Sequence, residues 1–262
     1  MREEFKVKVL AVCLVTLTAF SFSGIMGMLG SVTPTVRFAP TFGAVNDYNW
    51  AGYAIPSSPN SVTFVMADWV VPKVSGPANS YSGIWIGIDG YVYNSYTVEQ
   101  IGTSQNISSS GTAEYNAWYE MVPLPPVWIP SSRIAISPGD TINAEIWYSP
   151  VYGFQLEIWD ITSGGWIDTY QVNTNALRSS AEWVVESPMT FNGKTWVPLP
   201  LADFGTVTFT ACEVTIGGHT SYIGGFSYDT LTMITTSGIV RASPSALSGY
   251  GGSSFTVTWY HY

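Results

Sequence analysis

Charge is the scarcest resource of this sequence. Only 10% of its 262 residues are Asp, Glu, Lys or Arg, against about a quarter in ordinary soluble domains. Disorder does not explain the shortage, because 46% of the chain is hydrophobic and disordered segments are poor in such residues. Bases are scarcer than acids, 9 Lys+Arg against 18 Asp+Glu, and after Lys8 six bases face 16 acids. No Lys/Arg cluster exists to neutralise phosphates, so nucleic acid is not expected as a partner. Few charges also mean little self-repulsion when carboxylates protonate, which permits an acidic environment.

Cysteine and histidine are nearly absent. The two cysteines are Cys13 and Cys212. Cys13 lies in an expected leader, so no intrachain disulfide is expected in the mature chain. In the run Thr206–Cys212, strand alternation sets Cys212 against the face of Val207 and Phe209, toward exposure. A nucleophilic role would need a neighbouring base that the sequence does not show. The two histidines are His219, after Gly217-Gly218, and the near-terminal His261. Neither belongs to H-E-x-x-H or to a Cys/His cluster, so no metal site is expected. There is no G-x-S-x-G elbow, no Asp-Thr-Gly or Asp-Ser-Gly, and no Gly-rich phosphate loop followed by a helix. No cofactor is expected. Asn106-Ile107-Ser108 is a glycosylation sequon, a triplet common by chance.

Aromatic residues, by contrast, make up 15% of the chain, and such residues cover half-buried pleated surfaces well. The N-terminus has the layout of a signal peptide. Arg2, Lys6 and Lys8 form a basic start, Val9 to Phe22 an apolar run, and Ser21, Ser23 and Gly24 offer small residues for cleavage. The run is short for a membrane span and no second span follows. Residues 1–24 are therefore expected to be a leader, 25–45 a linker or short pro-segment, and 46–262 one domain of a secreted protein. An uncleaved anchor is the competing reading of the leader.

From Asn49 onward, short strand-like runs alternate with turns. Gly83–Ile88, Tyr115–Tyr119, Thr141–Tyr148, Phe154–Trp159, Trp166–Val172, Ala181–Val185 and Phe255–Trp259 are examples. Pro138-Gly139-Asp140, Ser163-Gly164-Gly165 and Asn192-Gly193 are among the turns between them. No long segment has the 3.6-residue period of a helix. The pattern predicts an all-β fold, an antiparallel sandwich.

With His and Cys chemistry removed, acid–base work falls to carboxylates. Three segments set them beside aromatics. In Trp85-Ile86-Gly87-Ile88-Asp89, alternation gives Trp85, Gly87 and Asp89 one face and the isoleucines the other. A turn-forming Asp-Gly on an outer surface is the plainer reading of Asp89-Gly90. In Glu114–Glu120, Asn116, Trp118 and Glu120 share a face. In Ala181–Glu186, Glu182, Val184 and Glu186 share one, and parity alone does not choose between the two acids. Enclosure by aromatics would raise the pKa of such an acid. Gln100, in Glu99-Gln100-Ile101-Gly102, supplies an amide that can bind an oxyanion, although most glutamines are structural.

Taken together and in order, Asn49-Trp50-Ala51-Gly52-Tyr53, Trp85–Gly90, Gln100-Ile101-Gly102, Ala117–Glu120, Ile136–Asp140, Ala181–Glu186 and Ala202–Phe209 resemble the glutamic peptidases, the G1 or eqolisin family. The resemblance implies a bent, concanavalin-like antiparallel β-sandwich of two packed sheets with a concave active-site cleft. It further implies a Gln/Glu dyad at Gln100 and Glu182, with Trp85, Asp89, Trp118 and Glu120 in supporting positions. No metal and no cofactor are implied. Three departures stand out: Asn116 where fungal members carry Asp, a spacer from Asp89 to Gln100 one residue longer, and no disulfides. The implied activity is acid endoproteolysis of polypeptide substrates by a monomer. The main alternative is a carbohydrate-binding or glycoside-hydrolysing sandwich in which Glu120 and Glu182 serve as acid and base. A further one is a non-catalytic binding or surface-layer protein that kept the fold.

Overall fold

The computed structural model describes residues 43–92 and 95–262. The expected leader and most of the expected linker lie outside the described residues. Among the described residues there are eighteen strands. They are β1 (Ala44–Asp47), β2 (Trp50–Pro56), β3 (Val62–Val70), β4 (Ser80–Ile88), β5 (Glu99–Ile107), β6 (Ala113–Met121), β7 (Val127–Trp128), β8 (Thr141–Ser149) and β9 (Gly153–Asp160). They continue with β10 (Trp166–Gln171), β11 (Ser180–Glu186), β12 (Met189–Phe191), β13 (Trp196–Pro198), β14 (Thr206–Ile216), β15 (His219–Tyr222), β16 (Asp229–Ile234), β17 (Val240–Pro244) and β18 (Phe255–Trp259). Strand β1 begins at Ala44, two residues inside the expected linker. Among the described residues the only helical turns are two short 3-10 segments, at Ile223–Gly225 and Tyr250–Gly252.

The strands form one continuous ladder in the order β10-β9-β8-β3-β14-β18-β17-β16-β2-β11-β4-β5-β6-β7, and β12 pairs with β13 as a separate hairpin. Every pairing is antiparallel except β1 on β16. The ladder bends back on itself, so that β3 and β8 lie over β4 and β5, and β5 lies over β9. The result is the expected sandwich, with the two layers joined through β18, β17 and β16 rather than separate.

Alternation explains which side chains fill the space between the layers. From one layer come Ile84, Ile86 and Ile88 of β4, Ile101 of β5 and Trp183 and Val185 of β11. From the other come Val65, Ala67 and Trp69 of β3, Ile142, Ala144 and Ile146 of β8, and Phe154, Leu156 and Ile158 of β9. Strands β8 and β9 show the one-sided burial this predicts. Strands β4, β5 and β11 do not, because every residue in them is buried. Their second face carries Gln100, Glu182 and Glu186, and a further apolar group covers it: Trp50, Trp85, Trp118, Tyr91, Val98, Val122 and Leu231.

Cys212 departs from simple alternation. Between Thr210 and Glu213 the register of β14 on β3 shifts, and Ala211 there has φ +52°. This bulge resets the parity. Cys212 therefore turns inward with Val214 and is fully buried, and burial pushes its thiol pKa up. It is a core residue and carries no reactive thiolate.

Trp183 joins the layers twice over. It is fully buried and its indole Nε1 donates to Met66 O of β3 at 2.8 Å. Trp183→Ala is expected to cost about 3–5 kcal/mol, measured as a loss of stability in urea unfolding.

Candidate active site

Strand register gathers the site. In neighbouring strands, Glu182 of β11 stands opposite Gly87 of β4, Gly87 opposite Gln100 of β5, and Gln100 opposite Glu120 of β6. On the other flank Glu182 pairs with Ala54 of β2, and Ala54 with Asp229 of β16. One straight row thus reads Asp229, Ala54, Glu182, Gly87, Gln100, Glu120. Glu182 and Gln100 are two strand spacings apart, roughly 10 Å between Cα atoms. The residue between them has no side chain. The edge of the Trp85 ring, and not a side chain of the row, occupies the place a Gly87 Cβ would take between them.

The next row, two residues along, is Val184, Trp85, Gly102 and Trp118. It needs glycine at Gly102. A Cβ there would fall 2.6 Å from the Trp85 Cβ and 2.1 Å from Ile84 O. Gly87 serves the same ring: its Cβ would come within 2.7 Å of Trp85 Cζ3. Gly102 thus lets β5 come close to β4 at Trp85, and Gly87 leaves room for the Trp85 indole beside the row. The third row contains Trp50, Glu186, Gly83 and Ser104.

Each polar group in this face has a distinct setting. Gln100 and Glu182 are fully buried. The Gln100 amide Nε2 donates to Glu120 Oε2 at 2.7 Å, which fixes the amide plane and leaves its second N–H for another acceptor. Gln100 Oε1 is buried without a hydrogen-bond partner. Burial, helped by the nearby Glu186 carboxyl and opposed by the Gln100 hydrogen bond, pushes the Glu120 pKa up to about 9. Glu186 accepts from Trp85 Nε1 at 2.8 Å and from Asn49 Nδ2 at 3.1 Å. Burial nevertheless raises its pKa to about 8, against the lowering effect of those donors and of Trp50. Asn49 and Trp50 are themselves held by Asp47, whose Oδ1 accepts from both of their backbone N–H groups, at 2.9 and 2.8 Å. Trp50 and Trp85 meet edge to face, 5.0 Å between centroids.

Tyr91 closes the far flank. Its hydroxyl donates to Asp229 Oδ2 at 2.5 Å, while Gly43 N donates to Asp229 Oδ1 at 2.9 Å. Burial first, then Asp229, Asp47 and Glu182, hold the Tyr91 phenol well above its usual pKa. It is therefore a neutral hydrogen-bonding group close to Glu182.

The comparisons with known proteins bear on this arrangement. The model of the Peptidase A4 family matches residues 48–259. The chain belongs to this family, the eqolisins. Aspergillopepsin-2 of Aspergillus niger is 29% identical to it over 239 residues, covering 80% of this chain and 77% of the relative. Scytalidopepsin B of Scytalidium lignicola is 28% identical over 182 residues, covering 67% and 66%. Among solved structures, aspergilloglutamic peptidase from Aspergillus niger is 30% identical, with a TM-score of 0.56 over 69% of this chain and 99% of that one. Scytalido-glutamic peptidase, solved with a transition state analog inhibitor, shares the fold with a TM-score of 0.69 and 24% identity, over 82% of this chain and 99% of that one.

In this eqolisin the structure brings Gln100, Glu182, Glu120, Trp85 and Trp118 onto one face. It places Asp89 elsewhere. Asp89 lies just past β4 with φ +71°, so it leaves the alternation that sets Trp85 and Gly87 together. Its carboxylate accepts from Arg178 N at 2.6 Å, and from Ser179 N and Oγ at 2.8 and 2.9 Å. It sits near Glu99, which alternation puts on the opposite side of β5 from Gln100. Asp89 therefore anchors the segment entering β11. The sequence reading missed Tyr91 and Asp229. No motif marks them: Asp229 joins the row only through the order β16-β2-β11, and Tyr91, just past β4, reaches it by its hydrogen bond to Asp229.

Among the described residues, no group of three or more His, Cys, Asp and Glu could hold a metal ion, and no helix is long and apolar enough to cross a membrane.

The buried acids have a consequence for stability. Glu99, Glu120 and Glu186 all have pKa values raised above the ordinary carboxylate value of 4.5. The folded state thus binds more protons than the unfolded chain between pH 4.5 and 8–9, and stability falls as pH rises through that window. Thermal unfolding scans are expected to show a falling Tm from about pH 5 to pH 8. Glu186→Gln, which mimics the protonated acid, is expected to flatten that fall.

Proposed function

We propose that the chain is a secreted acid endopeptidase in which Glu182 and Gln100 act as a catalytic dyad. The observation that carries this reading is the row in which the two residues flank a side-chain-free position on a buried face. Glu182, ionised at the start, takes a proton from a water held between it and Gln100. The water attacks the scissile carbonyl of a polypeptide substrate. The free N–H of Gln100 then hydrogen-bonds the developing oxyanion, a contribution of about 3 kcal/mol for a single such donor. Protonated Glu182 returns the proton to the leaving amine. Glu120 is a positioning residue, since its contact with Gln100 Nε2 holds the amide in line.

The register supports Glu182 over Glu186 as the base. Glu186 lies two rows away, and its oxygens are taken by Trp85 and Asn49. It also weighs against a glycosidase pair of Glu120 and Glu182, because Gln100 stands between them and occupies a Glu120 oxygen. The basic start and apolar run of the leader support secretion.

Acid digestion of a denatured protein by purified variants tests the dyad. Gln100→Ala is expected to lower kcat by about 10²–10³, and Glu182→Gln to abolish turnover. Glu186→Gln is expected to keep measurable cleavage. Full activity of Gln100→Ala would refute the dyad.

A further inference from the structure

A second surface, on the opposite layer from the dyad, has no role in the reaction above. It is the outer face of β8, β9 and β10, where, among the described residues, the ladder ends with β10 unpaired on one edge. The register arranges this face in three rows. Trp166 stands opposite Trp159. Two residues along, Asp168 faces Glu157, and Glu157 faces Glu145. Two residues further, Tyr170 faces Gln155, and Gln155 faces Trp147. An acidic row is thus flanked on each side by aromatic rings about 7 Å away along the strands.

The rings are exposed: Trp147 46%, Trp159 45%, Trp166 53% and Tyr170 55%. That is a large concentration of exposed aromatic surface in a chain whose other tryptophans mostly pack inside, and such patches mark interaction sites. Partial burial, together with Glu145 and Asp168, pushes the Glu157 carboxyl above its ordinary range. The three acids repel one another, and β3, β8, β9 and β10 contain no Lys or Arg to relieve them.

The charge selects the occupant. Nucleic acid is repelled. A second copy of this chain would set acid against acid, since the whole sequence holds only 9 bases. A cation suits both kinds of row: carboxylates pair with it, and Trp and Tyr faces attract it. The free edge of β10 also offers backbone groups to an extended chain. We propose that this face is an exosite for an extended, Lys- or Arg-bearing stretch of polypeptide, with cationic side chains on the acidic row and their stems against the rings. That the occupant is a polypeptide rests on the peptidase reading of the dyad.

The test uses a short fluorescein-labelled Lys/Gly peptide titrated into the full domain carrying Glu182→Gln, so that cleavage does not interfere. Binding is expected, weakening with added salt. Glu145→Gln/Glu157→Gln/Asp168→Asn and, separately, Trp159→Ala/Trp166→Ala are each expected to weaken it about tenfold. In a background with Glu182 intact, the same substitutions are expected to leave cleavage of a short uncharged peptide unchanged. No binding of the Lys/Gly peptide, binding by either surface variant as tight as that of the unaltered surface, or preference for an uncharged oligosaccharide over the peptide would each overturn the exosite. Binding that persists alongside full activity of Gln100→Ala would overturn the dyad and leave the surface standing.

Discussion

Everything at this site depends on register. In an antiparallel ladder, residues that face each other across the strands share one side of the sheet. Glu182, Gly87, Gln100 and Glu120 come from four strands that span more than eighty positions of sequence, yet they form one line. A slip of one residue in any of the four would send its member into the isoleucine core. The core and the site are thus the two faces of the same strands. The packing of Ile84, Ile86 and Ile88 on one side is what holds Gly87 and Trp85 on the other.

That dual role accounts for the burial pattern. A sheet with one wet face would leave its acids in water with ordinary pKa values. Here tryptophans and Tyr91 cover the second face, so the carboxyls of Glu120 and Glu186 lose hydration and hold their protons. Neutral acids still accept hydrogen bonds, and these do: Glu120 orients the Gln100 amide, and Glu186 orients the Trp85 indole. The scarcity of charge in the sequence permits acid surroundings, and the proton uptake of the folded state stabilises the fold there.

Much of this was legible in the sequence. The all-β fold follows from short runs and frequent turns, and the Peptidase A4 membership from blocks such as Trp85–Gly90 and Ala181–Glu186 in order. Alternation paired Trp118 with Glu120 and separated Glu182 from Trp183. What alternation does not contain is strand order. Asp229 joins the row of Glu182 through β16 and β2, and Tyr91, just past β4, bonds Asp229 there; nothing local to those residues announces it. Alternation also fails where the backbone leaves the β region. The bulge at Ala211 turned Cys212 inward, and the left-handed conformation at Asp89 took its carboxylate to Arg178 and Ser179. The exposed rings on β8 to β10 were visible as strand residues, but their grouping with an acidic row needed the pairing of three strands.

The account's central claim is that Gln100 binds the developing oxyanion while Glu182 alone supplies the ionising base. The most direct measurement is the pH profile of kcat/KM for Gln100→Ala beside the unaltered protein, with a short peptide substrate. The account predicts a plateau lowered by about a hundredfold or more and an acidic limb that does not move. An unchanged plateau with a displaced limb would contradict it, because Gln100 would then act by tuning the ionisation of Glu182 and not by holding the oxyanion.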